Sequence, residues 1–189
     1  IHSGEVEASA CFDSGMYADG QADECGLQRA ETEMFAWQNQ FNQAIIKSSR
    51  QSGVPPRMLK NIFAWESQFW PQTTYVNTFE YGLGHITEMG ADSTLRWNVP
   101  FYDSICADSF SADTCKTDYA DQPLSIRRAL MGVVIQRVNA DCPGCAYMLD
   151  TRLAERSIPI FSETLLSNAS YVKMIVRERT HRKAAEIIS

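Results

Sequence analysis

One carboxylate stands inside an apolar helical stripe, in the stretch Gly53-Val54-Pro55-Pro56-Arg57-Met58-Leu59-Lys60-Asn61-Ile62-Phe63-Ala64-Trp65-Glu66-Ser67-Gln68-Phe69-Trp70-Pro71. Wound at about 100° per residue, Leu59, Ile62, Phe63, Phe69 and Trp70 fall on one arc, and Glu66 lands within it. A carboxylate in that setting is expected to lose hydration, so the fold must pair it, neutralise it or use it. Desolvation favours the protonated form of a carboxyl group, and a carboxyl that keeps its proton near neutral pH can serve as a general acid. The plainer reading is a glutamate satisfied by an arginine or by backbone donors, because structural networks perturb carboxylates as well.

A second segment follows after a short gap: Phe79-Glu80-Tyr81-Gly82-Leu83-Gly84-His85-Ile86-Thr87-Glu88-Met89-Gly90-Ala91-Asp92. Its three glycines permit close backbone approach or positive φ. Together the two segments resemble the lytic transglycosylase and goose-type lysozyme superfamily. That family's pattern is a Gly-Val-x-Pro helix start, a helix ending in Glu-Ser-x-Phe-x-Pro, and a Gly-Leu-Met-Gln-Ile turn. Gly53-Val54-Pro55-Pro56 and Glu66-Ser67-Gln68-Phe69-Trp70-Pro71 match the first two parts, and Gly82-Leu83-Gly84-His85-Ile86 matches the third in part. The resemblance covers residues 52–92 and implies a lysozyme-like fold acting on a peptidoglycan glycan strand.

By that resemblance Glu66 protonates the glycosidic oxygen of the MurNAc–GlcNAc bond. It then takes a proton from the sugar's 6-hydroxyl, which closes a 1,6-anhydro ring without water. Ser67 is similar to the family serine that orients the acid or the substrate, with an ordinary back-bonded helix serine as the alternative. Tyr81, Gly82, Leu83, His85 and Ile86 correspond to the turn that lines the sugar groove. The departure is Gly84-His85, where the family has Met-Gln. His85 could replace the glutamine as a hydrogen-bonding group, mark a changed substrate or a weakened enzyme, or be a surface loop histidine. Further along, Leu166-Ser167-Asn168-Ala169-Ser170 is similar in placement to a family Tyr-Asn motif that borders the active site, with Asn168 matching the Asn and Ser167 replacing the Tyr; a plain polar helix position is the alternative.

Two-carboxylate glycosidases pair an acid with a base or nucleophile, and the candidates for a second carboxylate are Glu80, Glu88 and Asp92. None matches a required family position. Three functions therefore stand side by side: a lytic transglycosylase working with Glu66 alone, a muramidase using water and a second carboxylate, and a glycan-binding module on a retired lysozyme fold. No phosphate-binding glycine loop, nucleotide fingerprint or metal-binding histidine cluster is present, so neither cofactor nor metal is expected.

The elements that must hold these residues are helical. Leu27, Ala30, Met34, Trp37, Phe41, Ala44, Ile45 and Ser48 follow the period of one long amphipathic helix over 27–49. Gly53 reads as its stop, Pro55-Pro56 as the opening of the Glu66 helix and Pro71 as its close. Residues 72–121 read as a long irregular region rich in aromatics, and a loop of that length is usually functional. Tyr75, Tyr81, Trp97, Phe101, Tyr102 and Tyr119 place the glycan groove there, although packing explains any single one of them. Pro123 precedes a helix with Leu124, Leu130, Met131, Val134, Ile135 and Val138 on its apolar side. Two more helical patterns follow, the last carrying Phe161, Leu165, Leu166, Ala169, Val172, Ile175 and Val176 and ending in a basic, solvated stretch from Arg177 to Lys183. Almost no alternating strand pattern occurs, so the expected fold is mainly α, a single lysozyme-like domain over 1–189 with 1–26 as a disulfide-bounded extension.

The chain has 189 residues, 44% hydrophobic, with a net charge of −6. That size supports a full core, and the absence of a basic surface argues against nucleic acid as a partner. The six cysteines, Cys11, Cys25, Cys106, Cys115, Cys142 and Cys145, leave many pairings open. They fall into three close pairs in loop-like segments. Local bridges Cys11–Cys25, Cys106–Cys115 and Cys142–Cys145 are expected, and with them an extracytoplasmic, oxidising compartment. For Cys142-Pro143-Gly144-Cys145 a redox or metal role is the weaker alternative, because no βαβ pattern or second short-spaced pair accompanies it. Asp13, Asp19, Asp23 and Glu24 lack the spacing of a calcium loop and read as solvated.

Overall fold

A computed structural model of the chain describes residues 1, 6–69, 80–138 and 151–188, with 151–154 and 181–188 described as backbone only. The described chain is mainly helical: α1 Glu24–Asn39, α2 Asn42–Ser52, α3 Pro56–Glu66, α4 Glu88–Trp97, α5 Val99–Ala107, α6 Leu124–Val138 and α7 Thr151–Ile188. Extended pairing among the described residues is confined to isolated bridges, Met16 with Ala22 and Tyr81 with Ile86.

The chain divides into two compact units, Ile1–Asn42 and Gln43–Ser189. In the first, a 3₁₀ turn over Phe12–Gly15 leads to α1. Cys11 is bonded to Cys25, and the Asp23 carboxylate caps α1 by accepting from the Gly26 N–H at 2.7 Å. Leu27 and Met34, expected to be core, are about half exposed at 51% and 46%. The single helix expected over 27–49 is interrupted at Gln40-Phe41, between α1 and α2.

In the second unit the local stop and start signals act as expected. Gly53 takes φ +76° beyond the end of α2 and its N–H bonds the Ser49 carbonyl, the left-handed closure that glycine adopts without strain. Pro56 then opens α3, where its missing N–H costs no helical bond. The core is built from Leu59, Phe63, Leu83, Leu95, Ile105, Leu130, Val134, Val138 and Ile158, all essentially inaccessible.

The expected irregular region is in large part helical. Thr87 caps α4 by accepting from the Gly90 N–H, and Asn98 caps α5 by accepting from the Phe101 N–H with a proline in the first turn. These short polar caps start helices as well as they make turns, and α4 buries only Ala91, Thr94 and Leu95, too few apolar groups to show a period. Residues 72–79 of that region lie outside the described residues. The Cys106–Cys115 bridge ties the end of α5 to the next 3₁₀ turn; the expected Cys142–Cys145 pair lies outside the described residues.

The two helical patterns expected at the end of the chain are one helix, α7, which runs through Pro159. Its buried side differs from the expected one. Ser157, Ile158, Ser162 and Ser167 are inaccessible, whereas Val172 and Val176 are exposed. Hydroxyls can line this face because each finds a partner. Ser162 meets Ser48 of α2 at 2.7 Å, Thr164 meets Thr94 of α4 at 2.9 Å, and Ser167 donates to the Ser93 carbonyl at 2.7 Å. α4 packs against α7, α6 and α5, and α6 also packs against α7, so α4 is the element on which the other helices converge.

Candidate functional site

Glu66 is the last residue of α3. Three donors converge on one carbonyl to end the helix there: the Phe63 oxygen accepts from the Ser67 N–H at 3.2 Å, the Phe69 N–H at 3.3 Å and the Ser67 hydroxyl at 3.0 Å. Gln68 and Phe69 then take left-handed φ of 51° and 62°, so the chain leaves the helical path. This corrects the sequence argument at its first step. Phe69 reaches the core through a left-handed turn, not through helix phase. Glu66, at the exposed end of the arc formed by Leu59 and Phe63, is exposed to solvent. Its carboxylate forms no ion pair among the described residues. Ser67 is buried and spends its hydroxyl on α3. Trp70 and Pro71 lie outside the described residues.

The glycine segment forms a tight hairpin. Tyr81 and Ile86 exchange backbone bonds of 3.0 and 2.9 Å, and the His85 N–H closes the turn on the Gly82 carbonyl. The hairpin is seated on α7. The Leu83 N–H donates to Ser157 Oγ at 3.0 Å, Gly82 lies against the Ser157 side chain, and Gly84 lies against the face of Phe161. The Phe161 ring in turn meets Phe63 of α3, centroid to centroid at 5.3 Å. Phe161 is therefore the shared support of the two segments that carry the resemblance: α3, which ends three residues past Phe63 at Glu66, and the hairpin that carries His85. Gly84 is small because the ring of Phe161 takes the volume a side chain would need. Leu83 and Ile86 are buried anchors of the turn, while Tyr81 and His85 remain partly accessible.

His85 holds φ +47°, and its Nδ1 stands 3.7 Å from the Glu80 carboxylate. The other two candidate second carboxylates are placed differently. Glu88 is exposed in the first turn of α4, where a negative charge complements the helix dipole. Asp92 is a structural hub. It accepts from the Tyr119 hydroxyl at 2.7 Å and pairs with Arg127 at 3.4 Å and Arg96 at 3.5 Å. The Arg127 guanidinium also lies over the Tyr119 ring, 5.5 Å from its centroid. Burial, reinforced by the Asp92 hydrogen bond and charge, pushes the Tyr119 phenol well above its ordinary range, against a smaller opposing pull from Arg127. One carboxylate oxygen of Asp92 ties α4 to α6 and the Tyr119 turn, and the other pairs with Arg96 within α4, so both are engaged by the scaffold.

Of the aromatics expected to line a groove, Tyr102 and Tyr119 are core residues packed edge to face. The Tyr102 hydroxyl donates to the Thr117 carbonyl at 2.6 Å. Trp97 packs on Tyr171 of α7 at 5.1 Å, Phe101 is partly accessible, and Tyr75 lies outside the described residues. Asn168 is exposed on α7, one position beyond the buried Ser167. An aromatic passed over by the sequence reading is Trp65, beside Glu66 and 88% exposed. Its helix phase, off the Leu59–Phe63 arc, was the available signal.

Among the described residues no group of three or more His, Cys, Asp or Glu side chains is placed to hold a metal ion, and no helix is long and apolar enough to cross a membrane. The chain matches no family model, no curated protein and no solved structure.

Proposed function

We propose that the protein is an extracytoplasmic peptidoglycan lytic transglycosylase with a lysozyme-like catalytic region, and that Glu66 is its acid and then its base. The observation that carries this reading is the joint seating of the Glu66 helix and the Gly82–His85 turn on Phe161, since both halves of the motif pair then share one support. An open Glu66 is compatible with the role. A glycan strand laid across the end of α3 displaces water from the carboxylate, and desolvation favours the proton-carrying form. Glu66 then gives its proton to the glycosidic oxygen as the C1–O bond breaks. The sugar's 6-hydroxyl attacks C1 and returns its proton to Glu66, so the acid is regenerated and the product ends in a 1,6-anhydro ring. His85 and Tyr81, accessible on the hairpin, are the groups available to hydrogen-bond the sugar, with Asn168 a further polar contact on α7.

A hydrolytic muramidase is the second reading, favoured by Glu80: partly exposed and facing His85, it could position a water. A weakened, binding-only module is favoured by a Glu66 with no ion pair among the described residues and by His85 in place of the family glutamine.

The test is product analysis by mass spectrometry after incubating purified peptidoglycan with the protein and with Glu66→Gln. Anhydromuropeptides from the parent alone are expected. Turnover retained by Glu66→Gln would remove Glu66 from the chemistry. Reducing-end products would establish the hydrolase, and binding with no bond cleavage would establish the module.

A further inference from the structure

The outer face of α3 carries an apolar strip that the core does not use. Trp65 is 88% exposed and Met58 47%, whereas Phe63, two residues before Trp65, is fully buried. Met58 and Trp65 are seven residues apart, so on a helix of about 3.6 residues per turn they lie on nearly the same line, roughly 10 Å apart. Ile62, half-buried, lies beside that line between them. Glu66 follows Trp65 directly and is exposed too. An indole ring with an exposed face offers the flat π surface that the axial C–H bonds of a pyranose need, and Glu66 stands about 100° further round the helix, where an adjoining ring of the same strand would lie.

We infer that Trp65, extended by Met58, forms a pyranose-stacking subsite that binds the sugar ring next to the bond presented to Glu66, on a β-1,4-linked N-acetylhexosamine strand. This subsite rests on the glycan-strand reading proposed above, whether or not the strand is cleaved. Trp65 acts on affinity and on the register of the strand; it moves no proton.

The experiment uses the full chain carrying Glu66→Gln, so that nothing is cleaved, titrated with peptide-free glycan strands released from peptidoglycan by an amidase. Binding is followed by calorimetry in that background, with Trp65→Ala and with Trp65→Phe, and product formation is measured in parallel for the protein with native Glu66. Expected are a loss of about ten-fold in affinity for Trp65→Ala, the scale of one aromatic contact, and a loss within about three-fold for Trp65→Phe, which keeps a flat ring. With Glu66 present, Trp65→Ala is expected to raise KM by a similar factor and to affect kcat less. Because the side chain is exposed, the thermal melt of each variant should match its parent. Equal affinity in all three proteins overturns the subsite while leaving cleavage, and hence the proposed function, in place. Strand binding without cleavage overturns the function but supports the subsite if Trp65→Ala still weakens it. Absence of both binding and cleavage overturns both. A concentration-dependent dimer lost in Trp65→Ala, with strand binding unchanged, assigns the face to a second copy of the chain and overturns the subsite.

Discussion

Replacing Gly84 by alanine tests the claim that one contact holds the candidate site together. The φ of Gly84 is not in the left-handed range, unlike that of Gly82 at +70°, so the added methyl acts through space rather than through backbone strain. Its Cβ would lie no more than 2.6 Å from three atoms of the Phe161 ring, Cγ, Cδ2 and Cε2. Normal contact requires a retreat of about 1.5 Å from the nearest ring atom. Phe161 is 9% exposed and backed by the fully buried Phe63, so the ring cannot yield alone. Overpacking of this kind costs about 1–3 kcal/mol, which for a chain of this size lowers Tm by about 2–4 °C per kcal/mol. The assay is thermal and urea unfolding of the oxidised protein for Gly84→Ala, Phe161→Leu and the double variant. Leucine clears the space that the ring occupied, so the double variant should be more stable than the sum of the single effects by at least about 1 kcal/mol, as residues in contact show. The proposed peptidoglycan cleavage should fall in Gly84→Ala and be partly restored in the double variant. Effects that add to within about 0.5 kcal/mol, or a Gly84→Ala protein as stable as its parent, would refute the idea that this packing positions the hairpin.

Other expectations concern the scaffold. Tyr119 is held protonated by burial and by Asp92, whereas in the unfolded chain it ionises near pH 10, the ordinary value for tyrosine. A folded pKa raised above the unfolded one contributes stability that is fully present below about pH 10 and is lost as pH rises through the folded value. Stability measured by denaturant titration should therefore fall on the alkaline side, and Tyr119→Phe should flatten that fall while costing about 1 kcal/mol near neutrality for the lost hydrogen bond. A Tyr119→Phe protein with the same alkaline slope would contradict the assignment. Opening the Cys106–Cys115 loop, whose cysteines are 9 residues apart, by paired serine substitution should cost about 2.5 kcal/mol on the loop-entropy scale, seen as a lower melting temperature.

Much of the helical frame was legible because its signals are local. Gly53, Pro56 and Pro123 mark boundaries through their own backbone chemistry, and the short-range pairs Cys11–Cys25 and Cys106–Cys115 needed only proximity along the chain. α4 and α5 resemble loop in the sequence because their caps, Thr87 and Asn98, are also turn residues and because α4 buries threonine where a leucine would show the period. The inner face of α7 is hidden in the sequence for a related reason. Its serines and threonines are buried through bonds to α2, α4 and the hairpin, partners that no pattern within the helix reveals. Of the candidate second carboxylates, Glu80, Glu88 and Asp92 look alike in sequence. Only the arrival of Tyr119 and Arg127 beside Asp92 separates a structural hub from groups that remain available.

The sequence by itself determined a mainly helical, disulfide-bridged chain and the pairing of a Glu-Ser helix end with a glycine turn, because periodicity, caps and turn chemistry act over a few residues. The tertiary structure alone decided that Glu66 is open rather than buried, since exposure depends on where α3 stops and what lies past its end. It also decided that Gly84 and Phe63 meet on Phe161. That contact joins residues far apart in the chain, and it is made by filling volume, a quantity no single segment carries.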